Sequence, residues 1–295
     1  MLSVSAPAKI NLVLEVLGKQ DGYHLISSIV QSVDLSDDLH FELAEEVCLT
    51  CDQPSLEHDN LVTRAANLLR DSTRCSLGAR IELRKRIPWS AGLGGGSSDA
   101  AATLLALNRL WGLGLPFSGL VGLADRLGSD VPFFMYGGAA LVEGRGEQVT
   151  PLPALAPTWF ILLVPRLPRI EEKTKRMYGK LDATDFTDGR YVQQALSSLR
   201  QGRMLDYDQV FNVFERAAFD LWSDLGRYRD IMISAGATAV HLAGSGPCLF
   251  APCSTEARAD EVCSDLRNQG IECYLTRSLT GAAGGRSSGP QHGVI

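Results

Sequence analysis

The sequence predicts an α+β chain built as two lobes, and three observations carry that reading. At 295 residues, 45% hydrophobic and 21% charged, it has a globular balance and more length than one ordinary core organises. Segments with the alternation of strands and segments with helical spacing recur along its whole length. Pro151, Pro153 and Pro157 break the pattern near the middle and place a boundary between lobes at 1–154 and 155–280.

In chain order, residues 2–17 cluster and alternate apolar side chains around a polar interruption, Ala8-Lys9-Ile10-Asn11, as a strand carrying functional groups would. Asp21-Gly22 is a hairpin turn signal. It leads through Tyr23 and His24 into a second strand at 25–35, with a third expected at 39–43. Asp59 or Asn60 is placed to cap a helix in which Leu61, Ala65, Leu68 and Leu69 keep helical spacing. Residues 79–86 alternate as a strand and deliver the chain to a glycine-rich loop. A helix then runs through Asn108, burying Leu104, Leu105 and Leu107, and another covers 120–127.

Strands are expected at 139–143 and 159–164. The charged run 169–176 reads as a mobile loop over a cleft. Val210, Phe214, Ala217, Ala218 and Leu221 repeat at helical spacing, which marks core packing. Residues 237–242, the turn Ala243-Gly244-Ser245-Gly246-Pro247 and residues 248–251 read as strand, turn and strand. A helix to about Gln269 and a strand through Ile271, Cys273 and Leu275 complete the lobe. The Gly- and Ser-rich tail 281–295 is expected to be disordered.

The loop is Pro88-Trp89-Ser90-Ala91-Gly92-Leu93-Gly94-Gly95-Gly96-Ser97-Ser98. Glycine lets consecutive N–H groups approach a ligand at dihedrals other residues avoid. The helix behind it adds unpaired N–H groups and the positive end of its dipole, which together suit phosphate. Ser97 and Ser98 are placed to cap that helix, or to face a phosphate or its magnesium ion. A Walker A loop needs Lys before its Ser or Thr, and the dinucleotide fingerprint needs G-x-G-x-x-G; neither frame occurs here. The plain alternative is a flexible turn capped by serine.

A net charge of −6 argues against a nucleic-acid or acidic-membrane partner while leaving room for a local basic pocket. The first residues lack a charged leader segment, Glu15 interrupts the apolar run, and no stretch is long enough to span a bilayer. Seven cysteines at irregular spacing fit a reducing cytoplasm. Cys48 and Cys51 form an isolated C-x-x-C, read as reduced thiols in a strand. His40, His58, His241 and His292 show no metal spacing, and no protein metal site is expected. Nothing in the sequence sets an oligomeric state.

Pro7-Ala8-Lys9-Ile10-Asn11, the loop above and Ala243-Gly244-Ser245-Gly246-Pro247 resemble the three motifs of the small-molecule kinases grouped with galactokinase, homoserine kinase, mevalonate kinase and phosphomevalonate kinase. Within that group, residues 7–12, Asp21-Gly22-Tyr23-His24, residues 92–101 and Asp130-Val131-Pro132-Phe133-Phe134 are most similar to the branch that phosphorylates a cytidine-diphosphate methylerythritol. The likeness runs over residues 3–278. It implies a two-lobed fold with a left-handed β-α-β crossover in the first lobe, against the usual hand, and a ferredoxin-like α+β second lobe. ATP and substrate would lie in the cleft between them. The implied reaction transfers the ATP γ-phosphoryl to the 2-hydroxyl of the cytidine-diphosphate sugar alcohol, with magnesium accompanying ATP, in non-mevalonate isoprenoid synthesis.

A tertiary alcohol is a weak nucleophile and needs in-line placement, a proton acceptor and positive charge. By resemblance Asp130 is the base and Lys9 the cation beside it; as residues alone, they read equally as a turn aspartate and a strand lysine. Asn11, Gly244 and Ser245 fall on the substrate side, with Tyr23 and His24 holding the cytosine by stacking and hydrogen bonding. That pair favours a cytosine-bearing substrate over mevalonate or homoserine, and Lys9 with Asp130 favours an enzyme over a regulatory nucleotide binder. Lys85 and Asn60 are expected on the adenine side with residues 88–98. Trp89, Ser90 and Cys248 depart from the family pattern, and Lys173-Thr174 matches its substrate loop too loosely to assign a site.

Overall fold

The computed structural model describes residues 1–281; the tail expected from 281 therefore lies, from 282 onward, outside the described residues. Strand β1 (Leu2–Gln20) and strand β2 (Tyr23–Ala44) pair antiparallel through Asp21-Gly22. Both turn residues have positive φ, 51° and 82°, the conformation of a tight turn matched to strand twist. The two strands expected at 25–35 and 39–43 are one element. The Ser36-Asp37-Asp38 interruption does not end it, because Asp37 is consumed by bonds from residues far along the chain: its Oδ1 accepts from Arg86 N at 2.6 Å and Ile87 N at 2.8 Å.

The far edge of β2 carries two partners at its two ends. β4 (Gly78–Arg84) pairs with 38–44 and β5 (Ala139–Gly144) with 26–31. β3 (Val47–Cys51) lies parallel to β4, and β6 (Gln148–Pro151), which the sequence reading missed, pairs with β5. The β3–β4 connection runs through α1 (Leu61–Thr73), so these three elements are the crossover unit. α2 (Gly95–Leu110) packs on β1 and β2 and against α1, α3 (Phe117–Leu127) and α4 (Val131–Tyr136). Its buried alanines, Ala100, Ala101, Ala102 and Ala106, let it approach the sheet closely.

The second sheet is β7 (Trp159–Leu163), β8 (His241–Leu242), β9 (Leu249–Cys253) and β10 (Cys273–Arg277), antiparallel and ordered β10-β7-β9-β8. With helices between its first and second strands and α9 (Glu256–Asn268) between its third and fourth, this is the ferredoxin-like order. β8 is shorter than the strand expected at 237–242. Between β7 and β8 run α5 (Lys173–Gly179), α6 (Arg190–Arg200), α7 (Phe214–Leu221) and α8 (Leu225–Ser234), of which only α7 was read from the sequence. The second half of the charged run expected as a loop, 173–176, lies in α5.

Alternation along β1 sends Ala8, Ile10 and Leu12 toward Phe160, Leu162 and Phe250 of the second sheet, leaving Lys9 and Asn11 on the opposite face. Burying each of those large side chains contributes about 1.5–3 kcal/mol. Glu15, fully buried, accepts from Tyr191 N at 3.3 Å and Val192 N at 2.8 Å. A carboxylate thus meets the positive end of α6. Leu14 adds backbone bonds to Phe211 O and from Val213 N, so β1 is fastened to α6 and to the segment before α7 as well as to β2.

Candidate active site

The glycine loop wraps a cavity of about 220 Å³ lined by Leu61, Lys85 and residues 87–97. Gly92 and Gly94 have φ of 90° and 73°. A Cβ at Gly92 would overlap Ala243 O, and one at Gly94 would lie 2.7 Å from the Phe134 ring, so the close approach as well as the dihedral requires glycine. α2 begins at Gly95 with Gly94 as its cap and no capping side chain. This corrects the expectation that Ser97 or Ser98 caps the helix. Ser97 lies inside the first turn, where N–H groups lack intrahelical partners; Ser98 N already donates to Gly94 O at 2.9 Å, and Ser98 Oγ is buried without a hydrogen-bond partner.

Two residues expected on the adenine side are held in other roles. Asn60 caps α1: Oδ1 accepts from Val62 N at 2.8 Å and Nδ2 donates to Leu56 O at 2.6 Å. The neighbouring Leu61 meets the cavity instead. Lys85 does line the cavity, but its ammonium is gripped by Asp37 Oδ2 and, at 2.7 Å, by Asp99 Oδ2. Burial pushes Lys85 down, and the charges of Asp99 and Asp37 more than offset it, so its pKa is raised. Burial raises Asp99 to about 7, opposed by Lys85. The triad ties β2, the strand before the loop and the first turn of α2 together.

Lys9, Asn11 and Asp130 line one recess of about 20 Å³ with Ile26, Val30 and Phe133. Lys9 N donates to Leu93 O at 3.0 Å, joining β1 to the loop. Its ammonium donates to Asn11 Oδ1 at 2.6 Å rather than to Asp130. Asn11 Nδ2 donates to Ser28 Oγ at 2.8 Å, and Ser28 to Val13 O at 2.6 Å, which fixes the asparagine's orientation. Asp130 precedes α4 without using its side chain as a cap, and it is exposed. Among the described residues its carboxylate takes part in no ion pair.

Tyr23 is 57% exposed, with the Arg145 guanidinium 5.1 Å over its ring. His24 is stacked by Tyr178 of α5, centroids 4.5 Å apart and planes at 21°. Phe186 meets His24 edge-on and Phe214 meets Tyr178 edge-on. Burial and then the charge of Lys19 lower the His24 pKa, so the imidazole is neutral at physiological pH. Its Nε2 is buried and unpartnered. Burial and the charge of Asp130 raise the Tyr178 phenol, placing that ring near the candidate base.

The second glycine turn abuts the first loop. Gly244 has φ of 55°; a Cβ there would sit 2.8 Å from Gly92 O and 3.1 Å from Lys9 Nζ. Asn212 Nδ2 steadies the turn by donating to Leu242 O and Gly244 O, both at 2.9 Å. Cys248 N donates to Ala91 O at 3.1 Å, while its buried thiol is pushed up by desolvation, so this departure from the family pattern lies behind the turn. Tyr178 was missed because its spacing marks nothing and its partner His24 is distant in sequence; Lys173, left without a site by its loose match, bonds to Ser90 O and Gly246 O, also distant in sequence.

Comparison with known proteins fits this geometry. Residues 60–138 match the model of the GHMP kinases N terminal domain and residues 193–272 that of the GHMP kinases C terminal domain. The chain is 44% identical over 95% of its length to a 4-diphosphocytidyl-2-C-methyl-D-erythritol kinase of Dehalococcoides mccartyi, covering 99% of that protein. The chain belongs to this family of GHMP kinases. A second relative of the same name, from Symbiobacterium thermophilum, is 39% identical over 94% of the chain and 100% of its own length. Among solved structures, a 4-(cytidine 5′-diphospho)-2C-methyl-D-erythritol kinase superposes with a TM-score of 0.80 at 33% identity, over 96% of this chain and 100% of that one. A homoserine kinase from Cytophaga hutchinsonii, 19% identical over 95% of both chains with a TM-score of 0.71, shares the fold. Trp89 stands 53% exposed at the cavity rim under the Arg169 guanidinium, 4.3 Å from its ring.

Proposed function

We propose that the protein transfers the γ-phosphoryl of ATP to the 2-hydroxyl of 4-diphosphocytidyl-2-C-methyl-D-erythritol. The observation that carries this reading is the continuity of three features: a phosphate cradle, a recess holding Lys9 and an uncapped Asp130, and an aromatic wall of His24 and Tyr178. We take 1–154 and 155–280 as its two lobes, and the seven free thiols fit work in the cytoplasm. No helix among the described residues is long and apolar enough to cross a membrane.

The loop amides and the N-terminus of α2 hold the phosphates. Asn11, oriented through Ser28, and the turn at Gly244 and Ser245 position the acceptor alcohol. Asp130 takes the hydroxyl proton as the oxygen attacks, and Lys9 offsets the charge spread over the transferring group. The neutral imidazole of His24 and its unpartnered Nε2 suit hydrogen bonding to a base edge, with Tyr178 and Tyr23 supplying aromatic surface. Among the described residues no group of three or more His, Cys, Asp or Glu could hold a metal. Magnesium fits only as a companion of ATP: Ser98 Oγ, buried and without a partner, is the oxygen that would reach it, and bound there it would neutralise phosphate charge.

The test is ADP release from ATP with the cytidylylated alcohol, mevalonate and homoserine. Turnover confined to the first, falling about 10²–10⁴-fold in Asp130→Asn, is the expected result. Equal turnover of mevalonate or homoserine would overturn the substrate, and an undiminished Asp130→Asn would overturn the base.

A further inference from the structure

Helix α5 reaches both halves of the site. Its first residue, Lys173, donates from Nζ to Ser90 O of the nucleotide loop at 2.9 Å and to Gly246 O of the second glycine turn. Thr174 Oγ1 lies 3.4 Å from Ser245 Oγ. Five residues on, about 7.5 Å along the helix at 1.5 Å per residue, Tyr178 stacks on His24. One short rigid element therefore grips the phosphate cradle at one end and the aromatic wall at the other.

The grip itself is not an ion pair, although the charge of Asp130 is near enough to favour the ammonium. The ammonium of Lys173 is held by two carbonyls and forms no ion pair among the described residues, and burial together with the neighbouring charge of Lys9 weighs against its charged form. Neutral acceptors leave the desolvation of a half-buried cation only partly offset. A polyanion in the cradle supplies what is missing, and an interaction strengthened by one ligand at a contact that also fixes the site of another couples the two by reciprocity.

We propose that Lys173 is a positioning residue that couples the two substrates: phosphates in the glycine loop fasten it to Ser90 and Gly246, and through α5 this sets Tyr178 against His24 for the acceptor's base. The proposal rests on the kinase reading above. It assigns a role to a residue that touches neither the acceptor alcohol nor the base.

Titration calorimetry of 4-diphosphocytidyl-2-C-methyl-D-erythritol, with the enzyme alone and saturated with a non-hydrolysable ATP analogue and magnesium, tests it directly. In the wild type the analogue is expected to tighten acceptor binding at least about 5-fold. In Lys173→Met that gain falls within 2-fold of none while binding to the free enzyme is retained, and KM for the acceptor rises more than kcat falls. Lys173→Arg, which keeps the charge and can serve both carbonyls, is expected to retain most of the coupling and separates its loss from a loss of fold. A full analogue effect in Lys173→Met, or a wild type that binds both ligands without synergy, overturns the coupling alone. A wild type that binds the analogue but not the cytidylylated alcohol overturns the substrate reading as well.

Discussion

Lys85 and Lys173 bring two ammonium groups to the same glycine loop, and burial has opposite outcomes for them. Lys85 sits between Asp37 and Asp99 and its proton is held more firmly than in water. Lys173 bonds to carbonyls and pairs with no carboxylate, and desolvation followed by the charge of Lys9 outweighs Cys248 and Asp130 and brings it down to about 8. A lysine supplied with its own carboxylates is finished when the chain folds, and it serves the loop's shape. One left without them is completed only by an anion that arrives from outside, which is the electrostatic signature of a binding group.

The largest effect should come from breaking the finished side. Lys85→Met leaves two carboxylates buried with side-chain exposures of 0% and 3% and no counter-charge. Removing one partner of a buried ion pair costs about 3–5 kcal/mol, to be read as a lower midpoint in urea unfolding. The sign of its pH dependence follows. Without Lys85, whose charge opposes the rise, the folded-state pKa of Asp99 lies further above its unfolded value, so stability is greatest at low pH and is lost as pH rises toward neutrality. The variant should be closer to wild type at pH 5 than at pH 8, and a deficit that grew on acidification would contradict the triad's role.

A smaller loss should follow from separating the two turns that Lys173 bridges. Gly92→Ala places a methyl against Ala243 O at a φ of 90°, and both strain and overlap oppose it at about 1–3 kcal/mol. If the turns act as one cradle, ATP affinity falls and the analogue-dependent gain in acceptor binding falls with it. Loss of ATP affinity with coupling intact would show that the loop works without the turn.

What the sequence allowed one to read follows the same division. The hairpin turn, the Asn60 cap and the glycine loop are local: each rests on residues within a few positions, so spacing exposes them. Asp37 could not be separated from a strand break, because its partners arrive from Lys85, Arg86 and Ile87. Glu15 reads as an interruption in an apolar run until Tyr191 and Val192 turn their N–H groups toward it. Lys173 lies in a charged run that reads as a mobile loop over a cleft, and only the meeting of Ser90 with Gly246 gives its ammonium a place. The motifs named the chemistry; the long-range polar contacts that orient it have no period to detect.

The smallest expected effect is also the most direct reading of the unfinished lysine. Around Lys173 stand Lys9 on β1, Asp130 before α4 and Cys248 before β9; on its own segment Arg169 lies over Trp89 and Glu172 is paired with Lys175 at 2.9 Å. With a pKa of about 8, Lys173 is roughly half protonated at pH 8 in the free enzyme. An anion beside it favours the charged form and raises that pKa, so binding the ATP analogue at pH 8 should take up about half a proton. The ligand's own phosphates are already ionised at that pH and Lys85 is protonated before and after, so neither adds to the uptake. Calorimetry in buffers of different ionisation enthalpy measures it. The uptake should fade below about pH 7, where Lys173 is already charged, and should be absent in Lys173→Met and Lys173→Arg, neither of which titrates there. An equal uptake in Lys173→Met would move the proton to another group and remove the contrast between the two lysines.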